Sequence, residues 1–356
     1  MAGVKDIFLR KTTGTYYPGL DALRVYSIVF VLIAHIADSF FSNHPYDELT
    51  YKVLENGSNG VRIFFGISGF VIFHILKSNS INLNFYIKFV FKRFKRLEPA
   101  YLVIVTLVFF AYSFYFNKLD CLAYMHWLSS LFYLHGFIYD QPSYFFPIAW
   151  SLELEFWFYL IAPIIMFLIN EFPRLKNYAL LLVLIGSITY DYYGHRNMTN
   201  ILYYLQYFTC GIFVALNKEK ITSIFKTMRE YIKYKIIWEI ILIVILLTLF
   251  LIDMRSGDII NNIVSTLLLI FLISMSINLR LIMLPNWMAF FGLVTYYIYL
   301  LHPLFIKLLS FFTGFFNLFY FILISIPLIF LFSSLFYLAF EILLFYLSIS
   351  WRKSSN

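Results

Sequence analysis

Residues 20–40 read LDALRVYSIVFVLIAHIADSF, an apolar run that carries Asp21, Arg24, His35 and Asp38. A helix of about 20 residues rises about 30 Å, the thickness of a bilayer's hydrocarbon, so the run reads as a transmembrane helix. The rest of the chain has the same character. Of 356 residues 62% are hydrophobic and 13% charged, and a mean hydropathy of +0.79 excludes a soluble domain of this length. Upstream, a tail with Lys5, Asp6, Arg10 and Lys11 runs into the span without a small-residue cleavage site, the pattern expected of an uncleaved signal anchor.

Windows of that length between polar breaks place ten spans at about residues 20–40, 59–76, 99–116, 148–170, 178–193, 199–216, 236–252, 259–278, 287–310 and 318–348. The apolar stretch from Leu122 to Phe137 holds His126 and His135 between Asp120 and Asp140, so residues 117–147 read as an outer re-entrant or interfacial segment. Cytoplasmic loops concentrate Lys and Arg, which tests the count. With both termini inside, only Arg24, Lys52, Arg62, Lys118, Arg196, Arg255 and Lys307 fall in spans or outer loops, leaving 20 of the 27 basic residues on the inner side. The sequence therefore predicts an all-α polytopic membrane bundle of about ten helices, one domain over residues 1–356, with both termini cytoplasmic. The net charge of +8 belongs to this topology and argues against nucleic acid as a partner. Cys121 and Cys210 have no ligand spacing and read as packing residues, and no metal site is expected.

Ionisable groups inside spans are costly, and they carry the chemical information. Arg24 and His35 lie eleven residues apart, about 1100° of helix rotation, so they share one face at heights about 16 Å apart. The fourth span opens WSLELEFWFY, residues 150–159. Glu153 and Glu155 are about 200° apart on that helix, so only one faces a given pocket. Glu155 shares its face with Ser151 and Tyr159 and is expected inward, while Glu153 is expected toward headgroups or the interface. His302 lies as far into its span as His35 does into the first, at a comparable depth, beside the helix-weakening Pro303. On the inner side Lys88, Lys92, Arg93, Lys95 and Arg96 crowd a basic cytoplasmic loop, residues 77–98, before Pro99. Arg93 and Arg96 at i, i+3 would share a helical face suited to phosphate oxygens, or simply report inner-side charge. The run Gly60 to Phe70 sets small residues for close helix approach, with Arg62 near the outer surface able to pair with an acidic group or to position an acceptor.

These segments together resemble acyltransferase family three, membrane acyltransferases that modify surface polysaccharides and lipopolysaccharides. The resemblance rests on Gly19 to Arg24 with His35, Gly60 to Phe70, Arg93 with Arg96, Trp150-Ser151-Leu152 with Glu155 and Phe158-Tyr159, and Gly292 through Tyr296, Tyr299, His302 and Pro303. It implies that Arg24 and His35 are the family's paired essential residues, that Arg93 and Arg96 act in the acyl-donor step with Lys92 beside them, and that Glu155 is the acid of the fourth-span motif. Trp150, Ser151, Tyr159, Arg62 and His302 are then supporting or acceptor-side residues. Arg62 stands where relatives often have an acid, and Glu153 is an added carboxylate. Ending at Asn356, the chain resembles the stand-alone form, without the extra esterase-like domain of some relatives.

The resemblance further implies acyl transfer, most simply of acetyl, from cytoplasmic acyl-coenzyme A to a carbohydrate hydroxyl of a surface polysaccharide or its lipid-linked precursor, in a bacterial inner membrane. Acyl-coenzyme A is a co-substrate in this scheme, no cofactor is permanently bound, and membrane lipids and a glycan acceptor are the other partners. His35 is either a general base or a covalent acyl carrier. The rival class is a transporter or flippase of a lipid-linked glycan.

Overall fold

The computed structural model describes residues 17–354 except 43, 46, 117–119, 195–197 and 286–287, and the side chains of these residues apart from 96, 97 and 344–354. No strand occurs among the described residues. The α-helices run α1 (Pro18–Phe41), α2 (Glu48–Glu55), α3 (Asn59–Lys77), α4 (Leu83–Phe116), α5 (Cys121–Leu131), α6 (His135–Tyr139), α7 (Ala149–Glu171), α8 (Lys176–Tyr193), α9 (Ile201–Leu216), α10 (Lys218–Tyr231), α11 (Lys235–Leu251), α12 (Ile259–Asn278), α13 (Met288–Leu309) and α14 (Leu318–Ser354). Large apolar side chains such as Leu182, Leu247, Leu267 and Leu335 point outward, while Ser27, Asn59, Gln206, Asn262 and His302 are fully buried. That inversion suits a lipid solvent, in which polar groups must find partners inside the protein.

Helices stand at all ten expected windows, and seven among the described residues are long and apolar enough to cross a membrane. The other three, α8, α9 and α11, have 18, 16 and 17 residues. A rise of about 1.5 Å per residue gives them about 24–27 Å, a little under the usual hydrocarbon thickness. Residues 77–98, expected as a loop, are helical from Leu83 onward: α4 has 34 residues and carries Pro99 in its interior. Asn82 starts it, its side chain accepting from the Phe85 N–H at 2.8 Å, and neither Gly nor Pro interrupts the run from Leu83 to Glu98. The basic residues therefore ride on a rigid element. The stretch from Leu122 to Phe137 is split between α5 and α6, with Tyr133 at φ 56°, and 11 residues of α5 are too few to cross.

The chain divides into two compact units, residues 1–60 with 279–356 and residues 61–278. In the first, α13 packs on α1. The helices approach closely at Gly292, where a Cβ would lie 2.5 Å from the Asp21 Cβ, and the Tyr26 hydroxyl donates to the Met283 carbonyl at 2.6 Å. In the second, α3 crosses α9 through Gly66, Gly69 and Gly211, and a Cβ on Gly69 or Gly211 would overlap the carbonyl oxygen of Phe208 or Gly66. This contact needs backbone against backbone, as small residues allow within membranes.

Candidate active site

In the first unit the site is built on α1 and α13. The Arg24 guanidinium pairs with Asp21 one turn below it. His35 is 41% exposed at its side chain, with Nδ1 3.8 Å from an Asp38 carboxylate oxygen, and its ring centroid lies 5.1 Å from that of His302. His302 is fully buried. Its geometry follows from its neighbour. Pro303 lacks the N–H that would bond the carbonyl of Tyr299 four residues back, and the Nδ1 of His302 takes that carbonyl at 2.7 Å. A ring nitrogen facing a carbonyl must carry the proton, so Nε2 is the lone-pair nitrogen of His302. Among the described residues that buried Nε2 has no hydrogen-bond partner.

In the second unit α4, α3 and α7 bring together Arg93, Ser68, Glu155 and Tyr159. Tyr86, Phe89 and Arg93 form one stripe of α4, spaced three and four residues, and the stripe meets α7: the Tyr86 hydroxyl donates to the Leu160 carbonyl at 3.3 Å. The Arg93 guanidinium lies 5.4 Å from the Phe89 ring centroid and 6.0 Å from that of Tyr159. Tyr159 in turn donates its hydroxyl to Glu155 Oε1 at 2.5 Å, and Ser68 Oγ donates to the same oxygen at 2.5 Å. Ser68 was read in the sequence only as part of a close-packing run. Lys92 and Lys95 project outward from α4, and the side chain of Arg96 lies outside the described residues.

Other expectations are corrected. Glu153 does not face headgroups: it is buried, and its Oε2 accepts the Gly136 N–H at 2.8 Å, tying α7 to the start of α6. Gly136 permits this, because a Cβ there would lie 2.7 Å from that oxygen. Arg62 is buried among aromatic rings, with its guanidinium 5.9 Å and 5.7 Å from the ring centroids of Tyr204 and Tyr207. Trp150 packs 5.1 Å from Tyr204, and Ser151 is buried in the first turn of α7. A polar network beside these rings had no counterpart in the sequence reading: Asn262 donates to Asp191 at 2.5 Å and accepts from Gln206 at 3.1 Å. No group of three or more metal-ligating side chains occurs among the described residues.

Outside the spans, His126 Nδ1 meets His135 Nε2 at 2.9 Å, and His135 Nδ1 donates to the Gln141 carbonyl at 3.0 Å. Both imidazoles are held below the usual His range, first by desolvation; Asp120 opposes this at His126, and the Gln141 carbonyl opposes it at His135. Tyr139 and Tyr144 are the other titratable side chains against the pair. A His whose folded pKa is lowered contributes stability that is present above its unfolded value of about 6.5 and is lost as pH falls below it. We therefore expect the protection factors of the amides in residues 121–139, exchange rates corrected for the intrinsic rate at each pH, to fall as pH drops from 7.5 to 5.5, and His126→Gln to flatten that dependence. An equal pH response in the variant would remove the pair as its source.

A multi-span helical protein with a half-exposed histidine against a buried one in one unit and an arginine–tyrosine–carboxylate chain in the other has the make-up of a membrane acyltransferase. The family model described as the acyltransferase domain matches residues 17–345, and the chain belongs to that family, acyltransferase family three. Curated relatives include the peptidoglycan O-acetyltransferase OatA of Listeria monocytogenes, 32% identical over 48% of this chain and 27% of that protein. The O-acetyltransferase OatA of Staphylococcus aureus is 31% identical over 45% of this chain and 26% of its own length. YrhL of Bacillus subtilis is 33% identical over 49% and 28%. The chain thus spans little more than a quarter of each relative it matches. No solved structure matches it.

Proposed function

We propose that the protein transfers an acetyl group from cytoplasmic acetyl-coenzyme A to a hydroxyl of peptidoglycan, or of a related surface polysaccharide or its lipid-linked precursor, on the outer side of the bacterial cytoplasmic membrane. Family membership supports acyl transfer, and the named activities of the Listeria and Staphylococcus relatives support acetyl and a glycan acceptor. The observation that carries the reading within the site is a half-exposed His35 beside a fully buried His302 of fixed tautomer.

In the proposed reaction His35 takes the proton of the sugar hydroxyl as its oxygen attacks the thioester carbonyl. The carbon–sulfur bond then breaks, and the thiolate leaves and receives that proton, so an ester and free coenzyme A are formed. Arg93 and Arg96, with Lys92 nearby, bind the donor's phosphates, and no cofactor is needed. The chain crosses the membrane ten times with both termini cytoplasmic and works as one catalytic domain. Residues 117–147 form an outer, non-crossing segment, and α8, α9 and α11 span by local thinning of the bilayer.

The test uses the full chain in lipid nanodiscs with labelled acetyl-coenzyme A and isolated peptidoglycan strands, read by mass. Addition of one acetyl per modified sugar, dependent on the protein, is expected. Translocation of a lipid-linked glycan without any acetyl gain would replace the enzyme with a transporter.

A further inference from the structure

We propose that Tyr159 physically joins the donor-side arginine to the carboxylate of Glu155, and that Ser68 is a second positioning residue for that carboxylate. The inference rests on the reading above, in which Arg93 binds the donor, and on the resemblance that makes Glu155 the acid of the fourth-span motif.

The geometry assigns two jobs to one side chain. The face of the Tyr159 ring lies under the Arg93 guanidinium, 6.0 Å from ring centroid to guanidinium carbon, while its hydroxyl donates to Glu155 Oε1 at 2.5 Å. Stacking engages the flat face of a guanidinium and leaves its in-plane N–H edge as the phosphate-binding edge. With Phe89 at 5.4 Å on the same helix, two rings set the plane in which that edge points. At the other end, the Ser68 hydroxyl shares Oε1 with that of Tyr159. Two donors on one oxygen fix the carboxylate plane, and among the described residues nothing bonds Oε2. Glu155 and Ser68 are both only partly buried, so Oε2 is the acceptor left for a reacting or bound group. A shift of the Arg93 plane on donor binding would move the ring, and with it one of the two bonds that orient Glu155.

Ser68 is well placed for this role. Gly69 brings α3 against α9, and Gly66 lies against Leu269 and Ile273 of α12, which leaves Ser68 to face α7. A serine inside an apolar helix commonly returns its hydroxyl to its own helix, four residues back. Here it donates across to Glu155, 87 residues away in sequence.

The experiment uses the full chain in nanodiscs and measures two quantities for each variant: the Kd for acetyl-coenzyme A and the rate of acetyl transfer to peptidoglycan strands. Tyr159→Phe keeps the ring and deletes the hydroxyl, so its Kd is expected within about twofold of the parent and its rate about 10-fold or more lower. Ser68→Ala is expected to behave the same way. Tyr159→Leu removes the ring as well, and adds a weakening of about 3- to 10-fold in Kd. The proposal is overturned if Tyr159→Phe weakens donor binding as much as Tyr159→Leu does, or if Tyr159→Phe and Ser68→Ala both transfer at the parent rate. Arg93→Ala separates the two levels: an unchanged Kd there sinks the donor-site reading itself, whereas a weakened Kd with indifferent Tyr159 variants sinks only the bridge. Should Tyr159→Leu fail to insert, the two single-hydroxyl deletions still decide.

Discussion

His35→Ala is expected to lower acetyl transfer by about 10²- to 10⁴-fold, the usual contribution of a positioned general base, while the protein still inserts and folds. The loss should be chemical because little packing is removed. The His35 side chain is 41% exposed, and its polar neighbour Asp38 lies on the same helix at 3.8 Å. What it touches on another element is the ring of His302, at 5.1 Å between centroids, in a contact that carries no hydrogen bond to break. An alanine therefore leaves the crossing of α1 and α13 in place, since that crossing depends on Gly292 against Asp21 and on Tyr26 against Met283. A glutamine at position 35 keeps the volume but cannot take up a proton near neutral pH, so it should not rescue the rate. Transfer within about threefold of the parent in the alanine variant, at equal protein in the membrane, would take His35 out of the reaction.

Hydropathy located the helices well, because in a bilayer a span must satisfy its backbone internally and advertises itself as a long apolar run. It misplaced the start of α4 for the same reason. Lys88, Lys92, Arg93 and Lys95 end an apolar window without ending a helix, and nothing in charge alone distinguishes a basic loop from a basic helical extension. Helical phase was a good guide within one element. It put Glu155 with Tyr159, which proved to be hydrogen-bonded at i, i+4. It could not reach between elements. Glu153 was assigned outward by its phase relative to Glu155, yet its partner is the Gly136 N–H, 17 residues earlier on a short helix. Ser68 left no usable signal, since a serine in an apolar helix looks the same whether it bonds its own carbonyl or a carboxylate on another helix. His302 could be read to its depth and no further. That its Nδ1 is committed to Tyr299 becomes visible only when Pro303 is seen inside a continuous helix.

That commitment yields the other large effect. If the lone pair on His302 Nε2 is what the reaction uses, through His35 or the bound hydroxyl, then deleting it and freeing it should have distinct signatures. His302→Asn keeps an amide N–H near the position of Nδ1, able to hold the Tyr299 carbonyl, and removes Nε2; a loss of about 10²-fold in rate is expected, as for one preorganised hydrogen-bonding group. His302→Gln reaches to the Nε2 position with an amide oxygen, so part of the rate should return. Pro303→Ala probes the same device without touching the imidazole. It restores the backbone N–H that bonds the Tyr299 carbonyl and removes a proline from a helix interior, a change that stabilises helices by up to about 3 kcal/mol. The melting temperature should therefore rise. Yet the imidazole must then share that carbonyl with a backbone N–H, keeping besides it the longer contact from Nδ1 to the Ile298 carbonyl at 3.3 Å, so the Nδ1–H tautomer is held less firmly and the rate should fall several-fold. A purely structural proline and histidine would move stability and activity in the same direction. A Pro303→Ala protein that is both more stable and fully active would show that the carbonyl left open by Pro303 plays no part in catalysis.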